Sequence, residues 1–337
     1  MASSPNALER AHPTLALPRL DLGTFPTPVE RLPLTANGAT LWCKREDRAS
    51  AGYGGNKVRK LEYLLAHAAR IGRPLLTLGA EGSHHLLATA FFARQVGLTT
   101  WGVFSPQPPT PHVAANRACL ERLLAGWIEV PSRPLLPWGM LRLRVRLWRQ
   151  GLPQPQDIPA GGSNPLGCAG WVAGGLEIAE QVASGLLPPP AEVWVPLGSG
   201  GNAGGLLLGL RLGGLASRVM AVRVVEWPLA SGLAARLLAR RTLALLARHG
   251  LRAPTGLDLS GLHVVEGFLG PGYGAPTPAA ERALHRAHSD CGLVLDSTYT
   301  AKTLAACLAR GGPAGGDVLL LNTVASAPPP LPCHEAP

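Results

Sequence analysis

What this chain lacks narrows it quickly. No stretch reaches the roughly 18 uninterrupted apolar residues that a membrane-crossing helix requires. Met1 to Pro13 shows no basic segment leading into an apolar one, so the sequence reads as a cytoplasmic protein with no membrane partner. Its six cysteines (Cys43, Cys119, Cys168, Cys291, Cys307, Cys333) lie far apart with no Cys-x-x-Cys pair, a pattern that fits reduced thiols and gives no metal signal. Acidic residues are scarce, 21 against 31 Lys and Arg, leaving a net charge of +10. A nucleic-acid partner would be one reason for that balance. The densest basic cluster, Arg142, Arg144, Arg146 and Arg149, covers no single helical face, however, and no aromatic-rich nucleic-acid motif accompanies it. The charge is therefore read as solvated surface or as attraction for anionic substrates and a cofactor phosphate, with no nucleic acid bound. With 46% hydrophobic and 15% charged residues over 337 positions, the chain carries enough apolar material for two domains and too much for disorder.

The stretch Gly54-Gly55-Asn56-Lys57-Val58-Arg59-Lys60-Leu61-Glu62 carries the first chemical signal. Two glycines free the backbone for a tight turn, and a lysine follows at the first turn of a helix whose apolar face is Val58, Leu61, Leu64, Leu65, Ala68 and Ile71. The positive end of a helix disfavours an ammonium group. Lys57 is thus either an amine of lowered pKa, suited to forming a Schiff base with an aldehyde cofactor, or a solvated lysine beside Arg59 and Lys60.

Elsewhere short strands alternate with helices. Strands are expected at Pro74–Gly79, Thr99–Phe104, Ile128–Val130, Glu192–Leu197, Val219–Val225, His263–Val265 and Asp317–Leu321. Helices are expected at about His85–Gly97, His112–Ala125, across the arginine cluster, and at Leu166–Gly185, Ala203–Leu212, Pro228–His249, Pro278–Cys291 and Thr300–Arg310. Such alternation means βαβ units, here two parallel α/β sheets in two domains. Residues 1–20 and the Pro-rich stretch 327–337 read as loose tails.

Five further motifs fall at strand or helix ends. Gly198-Ser199-Gly200-Gly201-Asn202 joins a strand to a helix as an anion-cradling loop would, and neither a Walker lysine nor a dinucleotide fingerprint accompanies it. Gly161-Gly162-Ser163-Asn164-Pro165 is a turn with a capping residue and a helix-starting proline, read as architecture. Ser83-His84-His85 opens a helix, where Ser83 can cap. The paired histidines lack the further ligand a metal site needs. Gly270-Pro271-Gly272-Tyr273-Gly274 and Asp296-Ser297-Thr298-Tyr299-Thr300 each set a phenol beside a turn, where it can pack, stack on a flat ring or exchange a proton.

Taken in order, these motifs resemble the D-cysteine desulfhydrase and 1-aminocyclopropane-1-carboxylate deaminase family across about Leu20 to Thr323. The resemblance implies fold type II of the pyridoxal-phosphate enzymes, similar to the tryptophan synthase β-chain. A larger cofactor-binding domain would comprise 1–57 with 166–326, and a smaller one 58–165. It implies pyridoxal 5′-phosphate as cofactor, carried by Lys57 with Asn56 beside it. Gly198, Ser199, Gly200, Gly201 and Asn202 would take the phosphate, His84 would stand at the ring oxygen where the family has asparagine, and Thr323 would meet the pyridine nitrogen. Asn202 replaces the family's usual threonine, and Val324-Ala325 replaces its glycines after Thr323. A hydroxyl at the ring nitrogen makes a weaker electron sink than a carboxylate, suited to α,β-elimination. Ser83, Tyr273 and Tyr299 are implied as catalytic groups beside Lys57, with Ser83, His85 and Thr300 facing a small amino-acid substrate. Members that open the cyclopropane ring carry glutamate where this chain has Thr300. Elimination from a D-amino acid such as D-cysteine is therefore expected, the alternatives being the deaminase reaction and a weakly or non-catalytic relative. A homodimer is usual in the family.

Overall fold

In a computed structural model that describes residues 4–325, the alternation resolves into helices layered on two sheets. The elements are α1 (Ala7–Ala11), β1 (Val29–Ala36), β2 (Ala39–Lys44), α2 (Lys57–Ile71), β3 (Leu75–Ala80), α3 (His84–Gln95), β4 (Thr100–Ser105), α4 (Pro111–Leu123), β5 (Gly126–Glu129), α5 (Leu136–Arg149) and β6 (Gln156–Asp157). They continue as α6 (Pro165–Ala183), β7 (Glu192–Leu197), α7 (Gly201–Leu212), β8 (Arg218–Arg223), α8 (Gly232–Arg248), β9 (Leu262–Val265), α9 (Pro278–Cys291), α10 (Thr300–Arg310) and β10 (Asp317–Leu321).

One sheet has strand order β5-β4-β3-β6 and the other β1-β2-β10-β7-β8-β9. The smaller sheet is parallel throughout, as expected. The larger is not: β1 and β2 form an antiparallel hairpin at its edge, which corrects the expectation of two parallel sheets. Asn37 and Gly38 turn that hairpin at φ 51° and 84°, the left-handed pair a tight two-residue loop demands. Pro33 falls where the register shifts between Arg31 and Thr35, and an edge strand tolerates its missing N–H. The long helix expected from Pro228 begins instead at Gly232, because Ser231 caps it by accepting from Ala234 N.

Residues 4–20 are not a loose tail. Asn6 and Glu9 form a reciprocal capping box on α1, Leu8 is fully buried, and Asn6 Nδ2 donates to Tyr63 Oη at 2.8 Å. The Pro-rich stretch 327–337 lies outside the described residues.

Helix α6 is buried along most of its length and packs against α2 and α7. Glycines permit this approach. A Cβ at Gly175 would stand 2.7 Å from Leu206 O on α7, and one at Gly170 would collide with Arg59 O on α2. Beneath this junction Arg59 Nε reaches Glu46 at 2.7 Å, Arg59 Nη2 reaches Glu177 at 2.9 Å, and Lys44 Nζ reaches Glu177 at 2.6 Å, all four groups being almost wholly buried. Burial alone would raise Glu177. Arg59 and Lys44 outweigh it and hold that carboxylate below its ordinary range. Arg59 and Lys60 are both buried and Lys57 is half-buried, so the lysine segment does not form a solvated basic run.

Candidate active site

Lys57 is the first residue of α2 and borders a cleft that is open to solvent. Its Nζ donates to Asn56 Oδ1 at 2.7 Å. Burial pushes its pKa down to about 7, nearby Lys60 adds to the effect, and Asp296 opposes it. About half of the amine is thus uncharged at neutrality, a condition for attack on an aldehyde.

Lys60 follows three residues later on the same face of α2. Its Nζ donates to Gly161 O at 2.9 Å and to Ser163 Oγ at 3.0 Å, and burial lowers its pKa to about 8. Ser163 Oγ lies 2.7 Å from Ser199 Oγ in the loop between β7 and α7. Within that loop Gly200 takes φ 81°, and no side chain caps α7, which leaves the first N–H groups of the helix free to bind an anion. A Cβ at Gly201 would collide with Ser163 Oγ and stand 2.7 Å from Lys60 Nζ. Backbone donors, an ammonium and two hydroxyls therefore converge on a space that side chains at these glycines would fill. That donor set fits a phosphate, and the amine of Lys57 on the same cleft fits an aldehyde, so the residues present match pyridoxal phosphate.

The facing wall carries the remaining groups. Ser83 caps α3 by accepting from Leu86 N at 3.4 Å and borders the cleft. His84 Nδ1 lies 2.5 Å from Tyr53 Oη. His85 is buried, with Nε2 3.0 Å from Thr77 Oγ1. Tyr273 and Tyr299 share a hydrogen bond of 2.7 Å, and burial raises both phenols above their ordinary pKa, which keeps them protonated. The Arg133 guanidinium stacks 4.3 Å above the Tyr273 ring and pairs with Glu226 at 3.3 Å, while Glu226 accepts the Tyr273 N–H at 2.7 Å. Thr323 closes the floor beyond β10, its carbonyl accepting from Asn56 N at 3.3 Å.

Every residue predicted for the site borders this cleft except Thr300. Thr300 is fully buried behind the wall, where its hydroxyl donates to Asp296 Oδ2 at 2.7 Å and accepts from Asp296 N at 2.8 Å. Asp296, which does border the cleft, also accepts from the N–H groups of Thr298 and Tyr299 at 2.9 and 2.6 Å. Thr300 thus holds Asp296, and Asp296 holds the Tyr299 turn; direct contact between Thr300 and a substrate is not what this geometry provides. Sequence reasoning missed Lys60, Ser163 and Asp296. The three-residue spacing from Lys57 was a signal for Lys60, whereas Ser163 meets Lys60 only through folding.

A cleft between α/β layers, an amine at a helix start and a glycine-lined anion cradle define a pyridoxal-phosphate enzyme of fold type II. The family profile described as pyridoxal-phosphate dependent enzyme matches residues 20–324, and the chain belongs to that family. It is 34% identical over 315 residues to a D-cysteine desulfhydrase of Salmonella choleraesuis (strain SC-B67), spanning 87% of this chain and 88% of that one. It is 35% identical over 318 residues to a nocardicin C-9′ epimerase of Nocardia uniformis subsp. tsuyamanensis, spanning 91% and 93%. Among solved structures, that of an ACC deaminase homologue superposes with a TM-score of 0.76 at 26% identity over 95% of each chain. Among the described residues no helix is long and apolar enough to cross a membrane, and no group of three or more metal-ligating side chains occurs.

Proposed function

We propose that the chain catalyses α,β-elimination from a small D-amino acid, D-cysteine in particular, giving pyruvate, ammonia and hydrogen sulfide with the uptake of one water. The observation that carries this reading is a cleft holding a near-neutral amine at Lys57 and a pair of protonated phenols at Tyr273 and Tyr299, whose bordering carboxylate, Asp296, is engaged by three neighbours. The likeness to the D-cysteine desulfhydrase supports it.

Bound pyridoxal phosphate supplies the electron withdrawal that acidifies the α-carbon. Lys57 and Asn56 would hold its aldehyde end, the Gly198–Asn202 segment with Lys60 and Ser163 would hold its phosphate, and His84 and Thr323 would border the space left for its ring. The Lys57 amine, partly uncharged near neutrality, would take the α-proton. The Tyr299 hydroxyl, backed by Tyr273, gives a proton to the departing sulfur, and Ser83 orients the substrate carboxylate. His85 fixes the helix start that carries Ser83. Ring opening of 1-aminocyclopropane-1-carboxylate needs a free acid–base group at carbons distant from the amine, and a threonine at 300 with an engaged Asp296 supplies none. A homodimer in the cytoplasm belongs to the same reading.

The likeness to the epimerase favours a second reading, in which the α-proton is removed and returned on the opposite face with no leaving group expelled. One assay separates them. Cofactor-loaded protein is given D-cysteine, β-chloro-D-alanine, their L-forms and 1-aminocyclopropane-1-carboxylate, and oxoacids are measured. Pyruvate from the two D-substrates is expected, with little from the L-forms and no 2-oxobutanoate. Solvent deuterium at Cα with inversion and no pyruvate would favour epimerisation, robust 2-oxobutanoate would overturn the assignment, and inertness toward all five would favour a non-catalytic relative.

A further inference from the structure

Hydrogen bonds around His84 form a chain whose proton order is dictated by a single backbone oxygen. Asn116, buried on α4, places Nδ2 2.9 Å from the carbonyl oxygen of Gly82. A carbonyl only accepts, so the amide nitrogen faces it, and the second N–H of that amide lies 3.2 Å from His112 Nε2 one helical turn earlier. In a neutral ring His112 Nε2 is then the acceptor and the proton sits on Nδ1, on an exposed residue. His84 Nε2 lies 2.9 Å from the same atom, so His84 supplies the proton there. In a neutral ring the other nitrogen is then bare, and it accepts the Tyr53 hydroxyl at 2.5 Å. Neutrality of His84 follows from its surroundings: burial, His112 and Lys57 push its pKa down to about 3, and it opens α3, where helix polarity disfavours a cation. Tyr53 and His84 border the active-site cleft, whereas His112 stands in solvent.

We propose that Tyr53, His84 and His112 form a proton wire from the cleft wall to solvent, set by Asn116 to conduct outward in the resting protein. The proposal rests on the reading of this site as one for amino acids. An amino-acid ammonium group must lose a proton before its nitrogen can displace Lys57, and the ammonia finally released regains one. In the outward step the ammonium gives a proton to Tyr53 Oη as the phenol's own proton passes to His84 Nδ1. The Nε2 proton of His84 passes to His112 Nε2, and the Nδ1 proton of His112 passes to water. One proton enters and one leaves, no charge stays on the wire, and each link has reversed. In that order the wire conducts inward and returns a proton when ammonia departs. Asn116 then opposes donor to donor against His112 Nε2–H, which drives the wire back to its resting order.

The test is nitrogen-15 NMR of the histidine rings in cofactor-loaded protein. His84 is expected as the Nε2–H form and His112 as the Nδ1–H form, and exchange of the His84 ring proton with water is expected to slow on the order of tenfold or more in His112→Phe. A His84 proton on Nδ1, or exchange unchanged in His112→Phe, overturns the wire. In turnover with D-cysteine the same variant should lose kcat several-fold at constant KM and regain it with added imidazole; an unaltered kcat refutes the wire's part in catalysis. A wild-type protein inert toward D-cysteine would sink the substrate assignment alone, since the ring tautomers and exchange rates are read without turnover.

Discussion

The pKa of Lys57 lends itself to a quantitative test through the rate at which cofactor-free protein captures pyridoxal phosphate. Only the uncharged amine adds to the aldehyde, so the rate follows the free-amine fraction. An ordinary lysine near 10.5 is about 0.1% uncharged at pH 7.5, whereas a group near 7 is about 75% uncharged, an advantage of several hundredfold. Capture measured by absorbance across pH 5.5 to 10 should therefore rise tenfold per unit at first and level off above about 7. The sign of each neighbour is also testable. Lys60→Gln removes a like charge and should move the midpoint up, and Asp296→Asn removes an attraction and should move it down. Burial is the larger cause, so both displacements should be smaller than the overall depression. A rate that climbs without levelling to pH 9.5 would show a solvated amine of ordinary basicity and refute the reasoning.

Three further outcomes are expected. Cofactor-loaded protein should absorb at roughly 410–430 nm as lysine-bound pyridoxal phosphate does; borohydride should fix the label on Lys57, Lys57→Ala should lose both band and turnover, and a peptide labelled at Lys60 or Lys302 would contradict the assignment. Gly200→Val should weaken cofactor retention strongly, because a side chain is strained at φ 81° and meets Ala235 at 3.3 Å, whereas Asn202→Thr should preserve it; equilibrium dialysis reads both. Glu177→Leu strands the buried cations of Arg59 and Lys44 and should cost about 3–5 kcal/mol in denaturant unfolding, and a loss below about 1 kcal/mol would mean the network is not a structural anchor.

The parts of this molecule written locally could be read from the sequence. Lys57 at a helix start, the loop from Gly198 to Asn202 and the helix opened by Ser83 depend on residues that are neighbours in the chain, and each lies within two residues of its expected place, the helix after the glycine loop starting at Gly201 and not Ala203. Two other local signals were present and went unread, the Asn37-Gly38 hairpin turn and the capping box of Asn6 and Glu9. What sequence could not supply is convergence. Ser163, Ser199 and Lys60 come from three separate segments and acquire a joint meaning only when α2, α6 and α7 pack. Thr300 shows the opposite failure, since a position next to a site tyrosine faced inward, toward Asp296, and not into the cleft.

One turn of α2 serves as a gauge. Lys57 and Lys60 stand three residues apart, about 4.5 Å along the axis, so one rigid element sets the interval between the amine proposed for the aldehyde and the ammonium proposed for the phosphate. The scale cannot slip, because Arg59, lying between the two, is clamped by Glu46 and Glu177. A helix also admits no fractional adjustment: inserting one residue between the lysines would swing the second by about 100° and carry its amine out of register. Selection among aldehydes would then be a matter of length. A compound lacking the phosphate could still meet Lys57 but would find nothing to span, and one with a longer arm would overshoot Lys60.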